Sequence, residues 1–141
     1  MEILKEKDKN KLTELFKQIK NNVKILMFTQ EMECQHCLMT RNLLDEVSAL
    51  SEKILLEVRD FVSDAELAKK YRVDKIPAIV LLGDKDYGIR FYGSPVGYEF
   101  NTLIEDILNV GKREHGLSKE VMSELAKIDR PVHMQVFISP S

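Results

Sequence analysis

The chain has 141 residues, 44% hydrophobic and 31% charged, with a formal net charge of −2. That balance fits one globular domain with a sizeable core and argues against disorder. No basic block offers a nucleic-acid face, no apolar run reaches the length of a membrane span, and the first residues lack the apolar centre of a leader peptide. The chain therefore reads as cytoplasmic, with no membrane and no nucleic-acid partner.

Leu12, Leu15, Phe16 and Ile19 recur at helical spacing, with Asp8 placed to cap that helix and Asn21-Asn22 to break it. Residues 23–29 are short and almost wholly apolar, as in a central buried strand. A polar loop, 30–33, leads into Cys34-Gln35-His36-Cys37. A helix over about 38–51 follows, with Leu43, Leu44, Val47 and Leu50 on one side. Residues 53–61 read as a strand, and Ser63 or Asp64 can cap a short helix through Leu67, Ala68 and Tyr71.

Pro77 opens a third strand, 78–82. Residues 83–88 form a turn, 89–92 the returning hairpin strand, 93–97 a loop, and about 98–110 a helix. Strands that alternate with helices imply parallel crossovers, and the last two strands imply an antiparallel hairpin. The expected fold is α/β: a four-stranded mixed central sheet with flanking helices.

Residues 117–128 form a further amphipathic pattern, with Leu117, Val121, Leu125 and Ile128 on one stripe. Pro131 ends it, and 132–138 read as another strand. This tail repeats the start of the chain. Glu14-Leu15-Phe16-Lys17 matches Glu124-Leu125-Ala126-Lys127, and after a one-residue slip Ile19, Val23 and Phe28 match Ile128, Val132 and Phe137. The domain reading is a first unit over 1–111, then a linker, a helix and the first strand of a truncated second unit over 112–141. An orphan apolar strand favours docking on the first unit or self-association.

Cys34 and Cys37 are the only cysteines. A dithiol between a strand and the start of a helix is the thioredoxin-like redox signature. The thiolate is the attacking species in disulfide exchange, and a helix start stabilises it through unpaired N–H groups and the positive end of the dipole. Cys34, on the exposed side of the turn, is the expected nucleophile, and Cys37 the resolving thiol. His36 adds a tunable positive charge that stabilises the thiolate and makes the disulfide more oxidising, while Glu31 and Glu33 oppose it. The redox-active cysteine pair needs no separate cofactor. Ile76-Pro77 is the second half of the site: Pro77 is expected to be cis, and the Ile76 backbone to pair with an extended substrate peptide. The loop from Gly93 borders the same groove, so Ile76, Gln35 and Gly93 are the substrate-binding candidates.

On these segments, together with residues 71–78 and 91–100, the first unit resembles a thioredoxin/glutaredoxin-like unit. It is most similar to the N-terminal unit of the two-unit protein disulfide oxidoreductases of thermophilic archaea and bacteria. The resemblance implies a thioredoxin-like fold and dithiol–disulfide exchange on protein substrates. It also implies catalytic roles for Cys34, Cys37 and Pro77, and a flavin-dependent thioredoxin reductase as electron donor. The chain departs from the family in having one C-x-x-C rather than two, and no tryptophan beside it. The strand before the cysteines carries no acid, so Glu57 on the neighbouring strand is the candidate proton acceptor.

Three other readings stay open. C-x-x-C is half of a zinc site, with His36, His115 and His133 poorly spaced to complete it. A non-catalytic thioredoxin-like binding module is the second. The third is a glutathione-dependent glutaredoxin, whose charged groove Arg41, Arg72 and Lys75 could supply. Met27, Met32 and Met39 read as gap-filling core residues.

Overall fold

The computed structural model describes residues 2–32 and 34–139. Glu33, and with it the expected opposition to His36 from that position, lies outside the described residues. The elements run α1 (Glu6–Phe16), β1 (Val23–Thr29), α2 (Cys37–Ser48), β2 (Ile54–Asp60), α3 (Ala65–Lys70), β3 (Ala78–Leu82), β4 (Asp86–Tyr92), α4 (Tyr98–Lys112) and α5 (Lys119–Leu125).

The four strands form one sheet in the order β2-β1-β3-β4. β1 pairs parallel with β2 and antiparallel with β3, and β3 pairs antiparallel with β4. The sheet is mixed, as expected, but the parallel crossover holds only for β1 and β2: β3 also follows a helix and yet runs antiparallel to β1. β1 is central because almost every residue in it is apolar, so it can be covered on both faces. Ile25 and Met27 point to one face, where they meet Leu43, Leu44 and Val47 of α2 and Leu103 and Ile107 of α4. Leu26 and Phe28 point to the other, where Ala68 of α3, Val73 and Val80 close a smaller core.

The first helix packs on the larger core through Leu12 and Phe16. Its leading segment is clamped to α2 by Glu46, whose carboxylate accepts the N–H of Ile3 at 2.6 Å and of Leu4 at 2.7 Å. At the far end of α4, Gly111 lets Ile19 and Val23 approach: a Cβ there would sit 2.7 Å from Ile19 Cγ2. The Gly111 carbonyl accepts the N–H groups of Lys20 and Asn21. This contact fixes the polarity of α4. Its last turn lies at the start of β1, so its first turn lies at the end of β1 that leads to the cysteines.

Several boundaries differ from the sequence reading. The first helix begins at Glu6 with Lys5 before it, so Asp8 sits inside the first turn and does not cap. Asp64, not Ser63, precedes α3, and its side chain makes no capping bond. Residues 86–88, read as turn, already belong to β4, where Arg90 reaches back to Asp86 at 2.6 Å. The largest difference is in the tail. A helix forms at α5, capped by the Ser118 hydroxyl, which accepts the Val121 N–H. Residues 132–138 form no strand and stand exposed throughout. The described tail residues 113–139 are exposed rather than buried against the sheet and its helices. Among the described residues no helix is long and apolar enough to cross a membrane.

Candidate active site

β1 delivers the chain to the site. After Thr29 a loop leads to Cys34, and Cys37 is the first residue of α2. The two cysteines form a disulfide with their Cα atoms 5.5 Å apart. They are not equivalent. Cys34 is half-buried, whereas Cys37 is 3% exposed and packed beneath the turn. Cys34 is therefore the more accessible member of the pair.

The head of α2 is built to favour an anion. His36 occupies the capping position but its side chain makes no capping bond, and the first turn carries no acidic residue. The N–H groups there are therefore not spent on a carboxylate of their own turn. The turn is locked from below by Thr40, whose buried hydroxyl donates to the His36 carbonyl at 2.8 Å, in parallel with the Thr40 N–H at 3.1 Å. Sequence reasoning missed Thr40. A threonine three residues after the second cysteine, on the buried stripe of the helix, was the available signal.

The sheet brings the second half of the site to the same end. Phe28 pairs with Ala78, so Pro77 stands across from the last residue of β1. The Ile76-Pro77 bond is cis, as expected. Pro77 is buried and Ile76 half-buried. The Pro77 carbonyl accepts the Gly93 N–H at 2.9 Å, which ties the 93–97 loop to the proline. Gly93 has φ +84°, a left-handed conformation suited to glycine. Gln35 and His36 are exposed at the surface of the turn.

Glu57 is not brought to Cys37. Strand alternation turns Leu56 and Val58 toward the core beneath α2, so Glu57 faces the opposite side of the sheet with Leu26, its register partner. There its carboxylate pairs with Lys24 and Arg59. The hydrogen bonds from Lys24 and Arg59 hold it below the usual carboxylate range. A committed carboxylate on the wrong face does not serve as the proton acceptor of a buried thiol. The sequence reading counted residues along the strand correctly but had no means of fixing which face α2 would cover.

The cations considered for a glutathione groove are partly committed as well. The Lys75 ammonium pairs with Asp74 at 2.6 Å and lies 4.2 Å from the centre of the Tyr92 ring. The methionines divide. Met27 is fully buried core, but Met32 is 74% and Met39 39% exposed, which corrects the reading of all three as core packing. Among the described residues no group of three or more His, Cys, Asp or Glu side chains is placed to hold a metal ion.

The sheet order, the helices on both faces and the disulfide at the head of α2 define the chain as a thioredoxin-fold unit that carries a C-x-x-C disulfide. Within that class it is similar to N-terminal units of longer redox proteins. Over 87% of its length it superposes on 60% of the NTD_N/C domain of the alkylhydroperoxide reductase AhpF from Enterococcus faecalis (V583), with a TM-score of 0.79 and 26% identity. A protein disulfide oxidoreductase from Aeropyrum pernix matches 90% of the chain and 56% of its own, with a TM-score of 0.79; at 23% identity this likeness carries the fold alone. Among curated proteins, the alkyl hydroperoxide reductase AhpF of Staphylococcus aureus (strain NCTC 8325 / PS 47) is 28% identical over 96 residues, 67% of this chain and 19% of that protein. The chain thus spans about a fifth of the length of the curated relatives it matches. No protein-family model matches it.

Proposed function

We propose that this chain exchanges disulfides with protein substrates through Cys34 and Cys37. The observation that carries the reading is the asymmetry of the pair: a half-buried Cys34 ahead of a helix start, joined to a buried Cys37 within that helix. In the reducing direction the Cys34 thiolate attacks a substrate disulfide, forms a mixed disulfide and releases the first substrate sulfur as a thiolate. The Cys37 thiolate then attacks Cys34, releases the second substrate sulfur and leaves the Cys34–Cys37 disulfide. Two electrons pass from the dithiol to the substrate, and the reverse sequence oxidises a substrate dithiol.

The other residues take supporting roles. His36 and the dipole of α2 favour the thiolate. Pro77 and Gly93 shape the groove. The backbone of Ile76, which stands outside both ladders, pairs with the substrate chain, and Gln35 lies at its rim. The setting is cytoplasmic, and the electron donor is a flavin-dependent reductase; the similarity to the alkyl hydroperoxide reductase AhpF supports a flavoprotein context. Residues 112–141 are read as the linker, helix and first strand of a second thioredoxin-like unit. The internal repeat supports this, as do structures in which most of this chain matches little more than half of theirs. Self-association through the exposed tail is the accompanying expectation.

Redox titration of the cysteine pair, read by thiol labelling and mass, tests the function. A reversible two-electron transition between about −270 and −180 mV is expected. Its absence, or an unchanged rate of insulin disulfide reduction in Cys34→Ser, leaves a non-catalytic binding module.

A further inference from the structure

The segment that leads into Ile76 and Pro77 is held from behind by β4. Helix α3 ends at Tyr71 in a tight turn: the Val73 N–H donates to the Ala68 carbonyl at 2.8 Å and the Arg72 N–H to the Lys69 carbonyl at 3.0 Å. Such a turn places the residue after the cap in the left-handed region, and Arg72 stands there with φ +58°, where glycine is the usual occupant. Val73 and Ala68 are buried together in the smaller core, which fixes the turn from inside. The Tyr71 and Arg72 carbonyls are left to be met from outside the helix.

Both find partners on β4. Arg90 Nε donates to the Tyr71 carbonyl at 3.1 Å, and the Tyr92 hydroxyl to the Arg72 carbonyl at 3.4 Å. The Arg90 side chain is 17% exposed, and its guanidinium is aimed by Asp86, whose two carboxylate oxygens accept at 2.9 and 2.6 Å. A planar fork locked in this way keeps Nε in place. The Tyr92 ring lies 4.2 Å from the Lys75 ammonium, so it also meets the residue before Ile76. This end of β4 is itself anchored at the site: Tyr92 is the register partner of Ala78, and Gly93 donates to the Pro77 carbonyl. A cap for α3 needs the Tyr71 carbonyl alone. The contacts at Arg72 and Lys75 lie beyond the helix and act on the segment that ends at Ile76, whose backbone stands outside both ladders.

We propose that Arg90 and Tyr92 are positioning residues for disulfide exchange: they hold residues 71–75 so that the Ile76 backbone is preset to pair with an extended substrate chain. They act through the Tyr71 and Arg72 carbonyls and not on the cysteines. A preset backbone favours binding of an extended chain, which must otherwise order it, and does nothing for a small disulfide that makes no backbone pairing. The inference rests on the exchange function proposed above and assigns residues to its substrate-pairing half.

The test uses the full chain, reduced and freed of reductant, in single-turnover reactions with an extended peptide disulfide and with hydroxyethyl disulfide. A concentration series separates the half-saturation value for the peptide from the limiting rate. In Arg90→Met the half-saturation value is expected to rise about tenfold while the limiting rate stays within about twofold. The hydroxyethyl disulfide rate and the reduction potential of the Cys34–Cys37 pair stay at their parent values. Tyr92→Phe keeps the ring beside Lys75 and loses only the hydroxyl; its rise is expected to be about threefold, and it decides the question where Arg90→Met does not fold. An unchanged half-saturation value in the folded variants overturns the proposal. An equal loss on both disulfides, or a shifted potential, also overturns it, because either places the effect at the cysteines. No turnover of either disulfide by the parent chain overturns the exchange function and the proposal together.

Discussion

The first helix–strand pair and the tail share a sequence pattern and meet opposite fates. In the first copy Phe16, Ile19, Val23 and Phe28 are all buried, and β1 is bonded along both edges. In the second, Ala126, Ile128, Val132 and Phe137 are exposed, and the segment that matches β1 forms no strand. The helix of the tail still forms, because an α-helix satisfies its own backbone and Ser118 caps it. A strand does not satisfy its own backbone. Residues 132–138 have the composition of a buried strand, but β1 is a strand because β2 and β3 accept and supply its hydrogen bonds. The pattern marks what a segment can become, and the neighbours decide whether it does.

Paired truncations of the two matching phenylalanines give the largest effect. Phe28→Ala empties a fully buried position between β1 and the small core, and should cost about 3–5 kcal/mol in chemical denaturation. Phe137→Ala, at a position 90% exposed, should change stability by less than about 0.5 kcal/mol. A comparable loss at Phe137 would break the comparison, since it would mean that the tail is packed in solution.

The next effect concerns how the first copy is held. Glu46 accepts two backbone N–H groups ahead of α1, and charge-assisted bonds of this kind contribute about 1.5–3 kcal/mol each at most. Glu46→Ala should therefore lower stability by roughly that amount. Amide exchange should quicken through residues 3–16 and stay unchanged at residues 119–125. Equal acceleration in both segments would show that the tail helix is coupled to the first unit.

The same contrast explains what could be read from the sequence. β1, β3 and the start of α4 were legible to the residue, because continuous apolar runs and a proline mark them. Cys34, Cys37 and the cis Pro77 were legible because few residue types suit their positions. Glu57 was placed on the right strand, but the face it presents depends on which side α2 packs, a fact carried by the chain crossover and not by the strand. Met32 and Met39 were read as packing because methionine usually is. Only the burial of the α2 stripe separates them from Met27. Thr40 was passed over because a lone threonine in a helix carries no pattern, and its bond to the His36 carbonyl exists only once the turn is folded.

The smallest effect concerns α4, the helix that packs over β1 through Leu103 and Ile107. Asp106 lies on it half-buried, and burial first, then the neighbouring Glu105, pushes its carboxyl above the usual aspartate range. A carboxyl that holds its proton more tightly when folded binds more protons in the native state than in the unfolded one across that window, so stability falls as pH rises through it. Below the unfolded value the protonated group carries no penalty; above the folded value the whole penalty is present. Asp106→Asn, which keeps the shape of the protonated acid, should therefore be more stable than the parent at pH 7, and the difference should close as pH falls through the carboxylate range. Denaturation curves of the two proteins from pH 3 to pH 8 measure it. A difference that stays constant with pH would assign the gain to packing and remove the buried charge from the account of α4.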